Sequence, residues 1–251
     1  LLKQFPSTTV YATRATVGVM ECMLHNSVSV MCILAREKSI REYPLYTHED
    51  VEFTIARACP VELEEEFALN GNGAVSVRFS HAGHVLGSAS MLIRLPGHTL
   101  FYTGDICNTD QELMRARSFP LDGEKVDTLI IESTYGANVD ADHADYQEQA
   151  ERLRKAIVEV LDRGGSVLVP AFALGRTQEM LNIIARFQDM GGIPDVPVYA
   201  SGLGRAVYEL YYRYPDYLHP EAVLQPLSRF GRVGDVWNPA VTRTLLEEPS
   251  I

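Results

Sequence analysis

Between Val61 and Tyr102 the apolar residues keep a strand's period, and after Gly136 they keep a helix's; that switch constrains the fold most. "VELEEEF", "AVSVRFS", "SMLIRL" and "TLFYT" read as successive strands, separated by turn signals at Asn70-Gly71-Asn72-Gly73 and Pro96-Gly97. "VDTLIIES" (126–133) is an apolar run with polar borders, the pattern of a buried strand. Further on, Leu153, Ile157, Val160 and Leu161 form a helical stripe that Gly164-Gly165 stops. "SVLVPAF" (166–172) then predicts a strand, Met180, Leu181, Ile184 and Phe187 a second helix, "VPVYAS" (196–201) a strand, and 203–213 a third helix. This β-α-β-α order implies a parallel sheet covered by helices. Upstream, "TVYAT" (9–13) is a strand and Arg14 to about Arg36 is helix-compatible. Thr47 of "THED" is placed to cap a helix running to about Ala58. The expected class is α/β, with a β-rich part over 1–136 and an α/β part over 137–251. Beyond about Pro215 the pattern assigns nothing.

The 251 residues carry a net charge of -11, which argues against a broadly basic nucleic-acid-binding face. It leaves room for a narrow site where metal ions supply the positive charge. Charges interrupt the apolar stretches before a membrane span's length, and the first residues lack a secretory pattern. The four cysteines (Cys22, Cys32, Cys59, Cys107) form neither a C-x-x-C pair nor a dense framework. They predict buried thiols in a reduced, cytoplasmic protein. Leu1 at one end and "LLEEPSI" at the other give the expectation of a cut chain.

Four short stretches hold residues suited to chemistry. "SHAGHVLGSAS" (80–90) places His81 and His84 three apart. On a strand they point to opposite faces, so one ion takes both only if the backbone turns, as Gly83 permits. Two satisfied loop histidines are the plainer alternative. "FYTGDIC" (101–107) leaves Asp105 on a turn at a strand tip, where a carboxylate can bridge cations or simply form the turn; Cys107 is a weaker thiolate candidate. "IIESTYG" (130–136) delivers Glu132 at the end of another apolar strand, as an active-site acid or as a cap. "VPAFALGRTQEML" (169–181) turns at Gly175 into a helix. Its amides and Arg176 suit a phosphate, and Arg176 with Glu179 equally suits a structural tie.

Taken in order, "HAGHVLGSA", "YTGDI", "IIESTYG" and "PAFALGRTQEML" resemble the β-CASP branch of the metallo-β-lactamase fold, whose members include RNA-processing nucleases such as the mRNA 3′-end cleavage endonuclease and ribonuclease J. The resemblance extends over nearly the whole chain. It implies part of an αββα sandwich (1–136) followed by part of a β-CASP α/β domain (137–251). It also implies that His84 and Asp105 are zinc ligands, with Asp105 bridging two ions, and that Glu132 supports a catalytic histidine. His81 matches no ligand, and His143, the approximate counterpart of a later family histidine, receives no role. RNA is the implied substrate, and a homodimer or an RNA-processing complex the implied assembly, with no membrane. In the complete protein, two zinc ions would activate a water for attack on phosphorus, and a histidine held by Glu132 would protonate the leaving 3′-oxygen.

The family's H-x-H-x-D-H signature is absent from these residues: of the seven histidines, no two are separated by a single residue. In the family it precedes the segment matching "LLKQFPSTTVYAT", and further histidines follow the segment matching "LLEEPSI". The expectation is therefore an inactive piece of a zinc-dependent ribonuclease. Two alternatives stay open: a metallo-β-lactamase-fold hydrolase acting on an ester or thioester, and a non-catalytic scaffold subunit of an RNA-processing complex.

Overall fold

The computed structural model describes residues 4–69, 73–118, 123–139, 145–232 and 249–251. The expected turn residues Asn70 to Asn72, and His143, lie outside the described residues. The chain folds as two compact units: Leu1–Asn108 with Ala116–Glu132, and Thr109–Arg115 with Ser133–Ile251.

In the first unit, β1 (Val10–Thr13) runs directly into α1 (Arg14–Lys38), and β1 pairs in parallel with β2 (Ala58–Val61). The Thr13 hydroxyl accepts the Thr16 N–H, satisfying a backbone donor that the first helical turn cannot pair internally. The Thr47 cap forms as a full capping box with Asp50 at the start of α2 (His48–Ile55). That helix stops three residues before Ala58, because Ala58 already belongs to β2. Val28 and Met31 of α1 pack with Val51 of α2 in a small core. Contrary to the sequence expectation, α1 is long and apolar enough, by length and composition alone, to cross a membrane. Here it packs against α2, β1 and β2.

The main sheet has the order β3-β4-β5-β6-β7, from β3 (Glu66–Leu69), β4 (Val75–His81), β5 (Ala89–Leu95), β6 (His98–Tyr102) and β7 (Thr128–Ile130). Pairing is antiparallel as far as β6 and parallel between β6 and β7. "VELEEEF" is not one strand: Val61 ends β2, Glu64 takes a left-handed φ of 64°, and β3 begins at Glu66. Period-2 alternation puts Val77 and Phe79 on one face, where both are buried with Val61. Each contributes roughly 2 kcal/mol by burial. On the other face Arg78 and Arg94 share Glu124, and Arg94 also binds Glu66 at 2.7 Å. Among the described residues β7 is an edge of the sheet rather than the buried strand expected, with Leu129, Ile130 and the following Ile131 all exposed.

In the second unit, α3 (Tyr146–Leu161), α4 (Arg176–Asp189) and α5 (Gly202–Arg213) form the helices. Ile157, Leu181, Ile184, Phe187, Val198 and Tyr208 form the centre of its core. The expected strand at 196–201 pairs only as β8 (Tyr199–Ala200), in parallel with β9 (Gly231–Arg232). The expected strand at 166–172 forms no ladder among the described residues; Val167 N–H donates to the Ser250 carbonyl at 2.8 Å, and the Phe172 carbonyl accepts the Thr177 N–H at 3.1 Å. All four cysteines are free, and none is buried as expected: Cys59 is exposed and the others are half-buried.

Candidate metal centre

Strand β4 ends on His81, which is wholly buried, and the His81 carbonyl accepts the Ser118 N–H at 2.8 Å. Gly83 then turns the chain with φ 76°, so His84 leaves the strand and its side chain is 37% exposed. The two histidines therefore face different surroundings, His81 buried at the strand end and His84 half-exposed beyond the Gly83 turn. Ser88, which the sequence reading passed over, closes the loop: its hydroxyl accepts the His84 and Val85 N–H groups at 3.2 and 3.1 Å. Thr13 and Thr16 pin the far side, each donating to the Gly87 carbonyl at 2.8 Å. No local motif marks Thr13 and Thr16 as positioning hydroxyls, since both act on a partner more than seventy residues away.

Strand β6 delivers the Thr103-Gly104-Asp105 turn, with Gly104 left-handed at φ 57°. Asp105 reaches into solvent, 69% exposed, and its Oδ2 lies 4.0 Å from His84 Nε2. Glu132, just beyond β7, folds back on the same turn. Its Oε1 accepts the Ile106 N–H at 3.3 Å, and its own N–H donates to Thr103 Oγ1 at 3.2 Å. Because β4, β6 and β7 run in one direction, their C-terminal ends share one edge of the sheet. His84, Asp105 and Glu132 thus gather from separate strands onto one loop cluster.

An imidazole nitrogen and a carboxylate oxygen are both ordinary zinc donors, bound at about 2.0–2.2 Å. Two such ligands on one tetrahedral ion stand roughly 3.3 Å apart, so the 4.0 Å separation needs only a small side-chain adjustment. Two ligands do not make a zinc site, and no group of three His, Cys, Asp or Glu suited to a metal occurs among the described residues. His84 and Asp105 fit the ion as part of its shell. The Cys107 backbone is committed to the loop: its N–H donates to the Ala82 carbonyl and its carbonyl accepts the Arg117 N–H.

Among curated proteins, ribonuclease TTHA0252 of Thermus thermophilus is 34% identical over 213 residues, which cover 84% of this chain and 44% of that protein. The RNase J-like protein of Methanocaldococcus jannaschii is 31% identical over 229 residues, covering 90% of this chain and 52% of that protein. Cleavage and polyadenylation specificity factor 73 of Drosophila melanogaster is 34% identical over 209 residues, covering 80% and 28%. The chain belongs to the β-CASP branch of the metallo-β-lactamase superfamily. No protein-family model matches it. It spans about half the length of the first two relatives and about a quarter of the third.

The β-CASP chain uses its "GRTQE" stretch structurally. Both carboxylate oxygens of Glu179, which is 3% exposed, accept the Leu113 N–H at 3.1 Å, and Arg176 donates to Gln111 at 3.2 Å. About two turns along from Glu179, Arg186 binds Glu112 at 2.8 Å. These contacts tie Thr109–Arg115 to α4 within the second unit. Burial pushes the Glu179 carboxyl up to about 7, with the Leu113 N–H pulling the other way and the Glu112 charge adding to the rise. A folded-state pKa above the unfolded value means that the folded protein holds the extra proton. The resulting stabilisation is complete below about pH 4.5 and is lost as pH rises to about 7. Denaturant unfolding between pH 4.5 and 7.5 should show this loss, on the order of 3 kcal/mol, and Glu179→Gln should flatten it. An unchanged slope in that variant would place the titration elsewhere.

Proposed function

We propose that, in the complete protein, this chain forms part of a two-zinc hydrolase that cleaves RNA phosphodiester bonds. The observation that carries this reading is the gathering of His84, Asp105 and Glu132 on one sheet edge, with His84 Nε2 and Asp105 Oδ2 4.0 Å apart. It is supported by relatives whose names describe ribonucleases and a cleavage and polyadenylation factor. His84 and Asp105 would be zinc ligands, the remaining ligands lying beyond the described residues. Zinc held in part by His84 and Asp105 would, when bound, polarise the scissile phosphate and make the attacking water acidic. The ions' charge also offsets the chain's net -11, which would otherwise repel a polyanion.

In this reading Asp105 acts through position and charge. Gly104 projects its carboxylate from the sheet edge, where both oxygens are accessible to cations. The Ser88 hydroxyl fixes the His84 backbone, so the imidazole needs little reorganisation to bind. Glu132 would orient a histidine that protonates the leaving 3′-oxygen, while the Ile106 N–H keeps its carboxylate beside the Asp105 turn.

Glu132→Gln separates this role from a structural one, because the amide oxygen can still accept the Ile106 N–H. In the complete protein, kcat for RNA cleavage should fall about 10²- to 10⁴-fold with little change in KM, and its pH profile should lose a limb. A variant with wild-type kcat and pH profile would refute the assignment. The two alternative readings make different predictions: an ester or thioester hydrolase would leave RNA intact, and a scaffold subunit would bind RNA or partners without turnover.

A further inference from the structure

Where α1 packs against α2 in the first unit, two histidines meet. His25 Nδ1 lies 2.8 Å from His48 Nδ1, and His25 Nε2 lies 3.0 Å from Glu52 Oε1. The imidazole centroids are 5.0 Å apart, with the ring planes 25° from parallel. A nitrogen contact of 2.8 Å at that centroid distance sets the rings edge to edge, with the two Nδ1 atoms pointing at each other. His48 and Glu52 stand one turn apart on α2, so one face of that helix offers both groups to His25. The three do not converge on one ion, because His25 meets its two partners through different nitrogens. What they share is a proton chain.

A head-on pair of imidazole nitrogens needs one hydrogen between them. With both rings neutral, His25 Nε2–H donates to Glu52, and His48 Nδ1–H donates to the bare His25 Nδ1. With one added proton, His25 donates to both Glu52 and His48, and both bonds gain charge assistance. A second added proton puts an N–H on each Nδ1. Two donors then face each other without an acceptor, and the pair must part.

The elements around the pair add few other charges. Glu21 lies one turn before His25 on α1, and Glu49 and Asp50 lie in the first turn of α2, where Asp50 is held by the Thr47 capping box. Arg57, just past α2, is turned to the Pro6 carbonyl and the Phe53 ring. Tyr43 and Tyr46 pack on the core between the helices, and β1 and β2 carry no charged side chain. That core is small: its buried residues are Val28, Met31 and Val51, with half-buried Cys32 packed against them. A contact of this size is sensitive to a single hydrogen-bonded link.

We propose that Glu52, His25 and His48 form a proton-gated clasp. It holds α2 on α1 while the histidine pair carries at most one added proton, and lets go when the pair takes a second. Release comes as pH falls through the histidine range, roughly from 7 to 5. Losing the link raises the open population of α2 about fivefold, the worth of one hydrogen bond.

Cys32 reports the opening, and the exposed Cys59 serves as the reference thiol at each pH. In the complete protein, maleimide labelling is followed at both cysteines by peptide mass spectrometry. The Cys32-to-Cys59 rate ratio should rise about fivefold between pH 7.5 and pH 5.0. His48→Asn should keep the ratio low at both values, because its amide offers His25 Nδ1 either an N–H or an oxygen and never takes a second proton. His48→Ala lacks the link, so its ratio should already be high at pH 7.5. Both variants retain both thiols, which isolates the clasp. A flat ratio in the wild-type protein, an equal rise in His48→Asn, or a low ratio in His48→Ala at pH 7.5 would overturn the proposal.

Discussion

Asp105→Asn should lower RNA cleavage by the complete protein by at least about 10³-fold while leaving the fold intact. The two effects separate cleanly because the Asp105 side chain is 69% exposed and its ion pair with His84 is long, at 4.0 Å. A surface substitution of this kind changes stability by about 0.5 kcal/mol or less. If Asp105 holds metal as proposed, the substitution's cost to catalysis is large because the amide keeps the shape and removes the ligand's charge. His84→Ala should produce a loss of similar size. Combining the two substitutions should add little, since residues that hold one metal centre act as a unit. Steady-state cleavage of a labelled RNA by the three variants, with circular dichroism as the folding control, measures this. Multiplicative losses would mean that His84 and Asp105 do not serve the same centre.

Gly83→Ala should cost the first unit on the order of 3 kcal/mol or more, the largest stability effect expected for a single methyl group here. At φ 76° any other residue is strained, and an added Cβ would lie 2.6 Å from the Arg117 nitrogen and 2.7 Å from the Cys107 carbonyl oxygen. Those two atoms are backbone and bonded to each other, so neither can swing aside. Gly97→Ala separates the two contributions. It has a similar φ of 73° with nothing within 4 Å of the new Cβ, so it should cost only about 1 kcal/mol. Equal destabilisation of the two variants in urea would show that the loop around Gly83 yields, and that His84 is held less firmly than the geometry indicates.

Where the strands of this chain end was more legible than how they pack. His84, Asp105 and Glu132 each follow a strand signal, and a strand end is where a sheet exposes side chains to a ligand. Gly83 marked the turn that parts His84 from His81, because a left-handed residue is written into the sequence as glycine. The hydroxyls of Thr13 and Thr16 left no trace, since their shared partner, the Gly87 carbonyl, lies in a segment that only the fold brings to them. Likewise "SVLVPAF" and "VDTLIIES" have the composition of buried strands, yet Leu168 and Leu129 are exposed. Composition reports what a segment could bury, and burial itself needs neighbours on both sides. Nor did any local pattern indicate that Thr109–Arg115 belongs with the second unit, where Glu179 and Arg176 hold it.

Zinc-dependent cleavage of RNA by the complete protein tests the central claim most directly. A preparation stripped with a chelator should lose RNA cleavage and regain it as zinc is returned, with recovery complete near two ions per chain. Cleavage that survives complete removal of metal, or zinc-loaded protein that leaves RNA intact, would contradict the account.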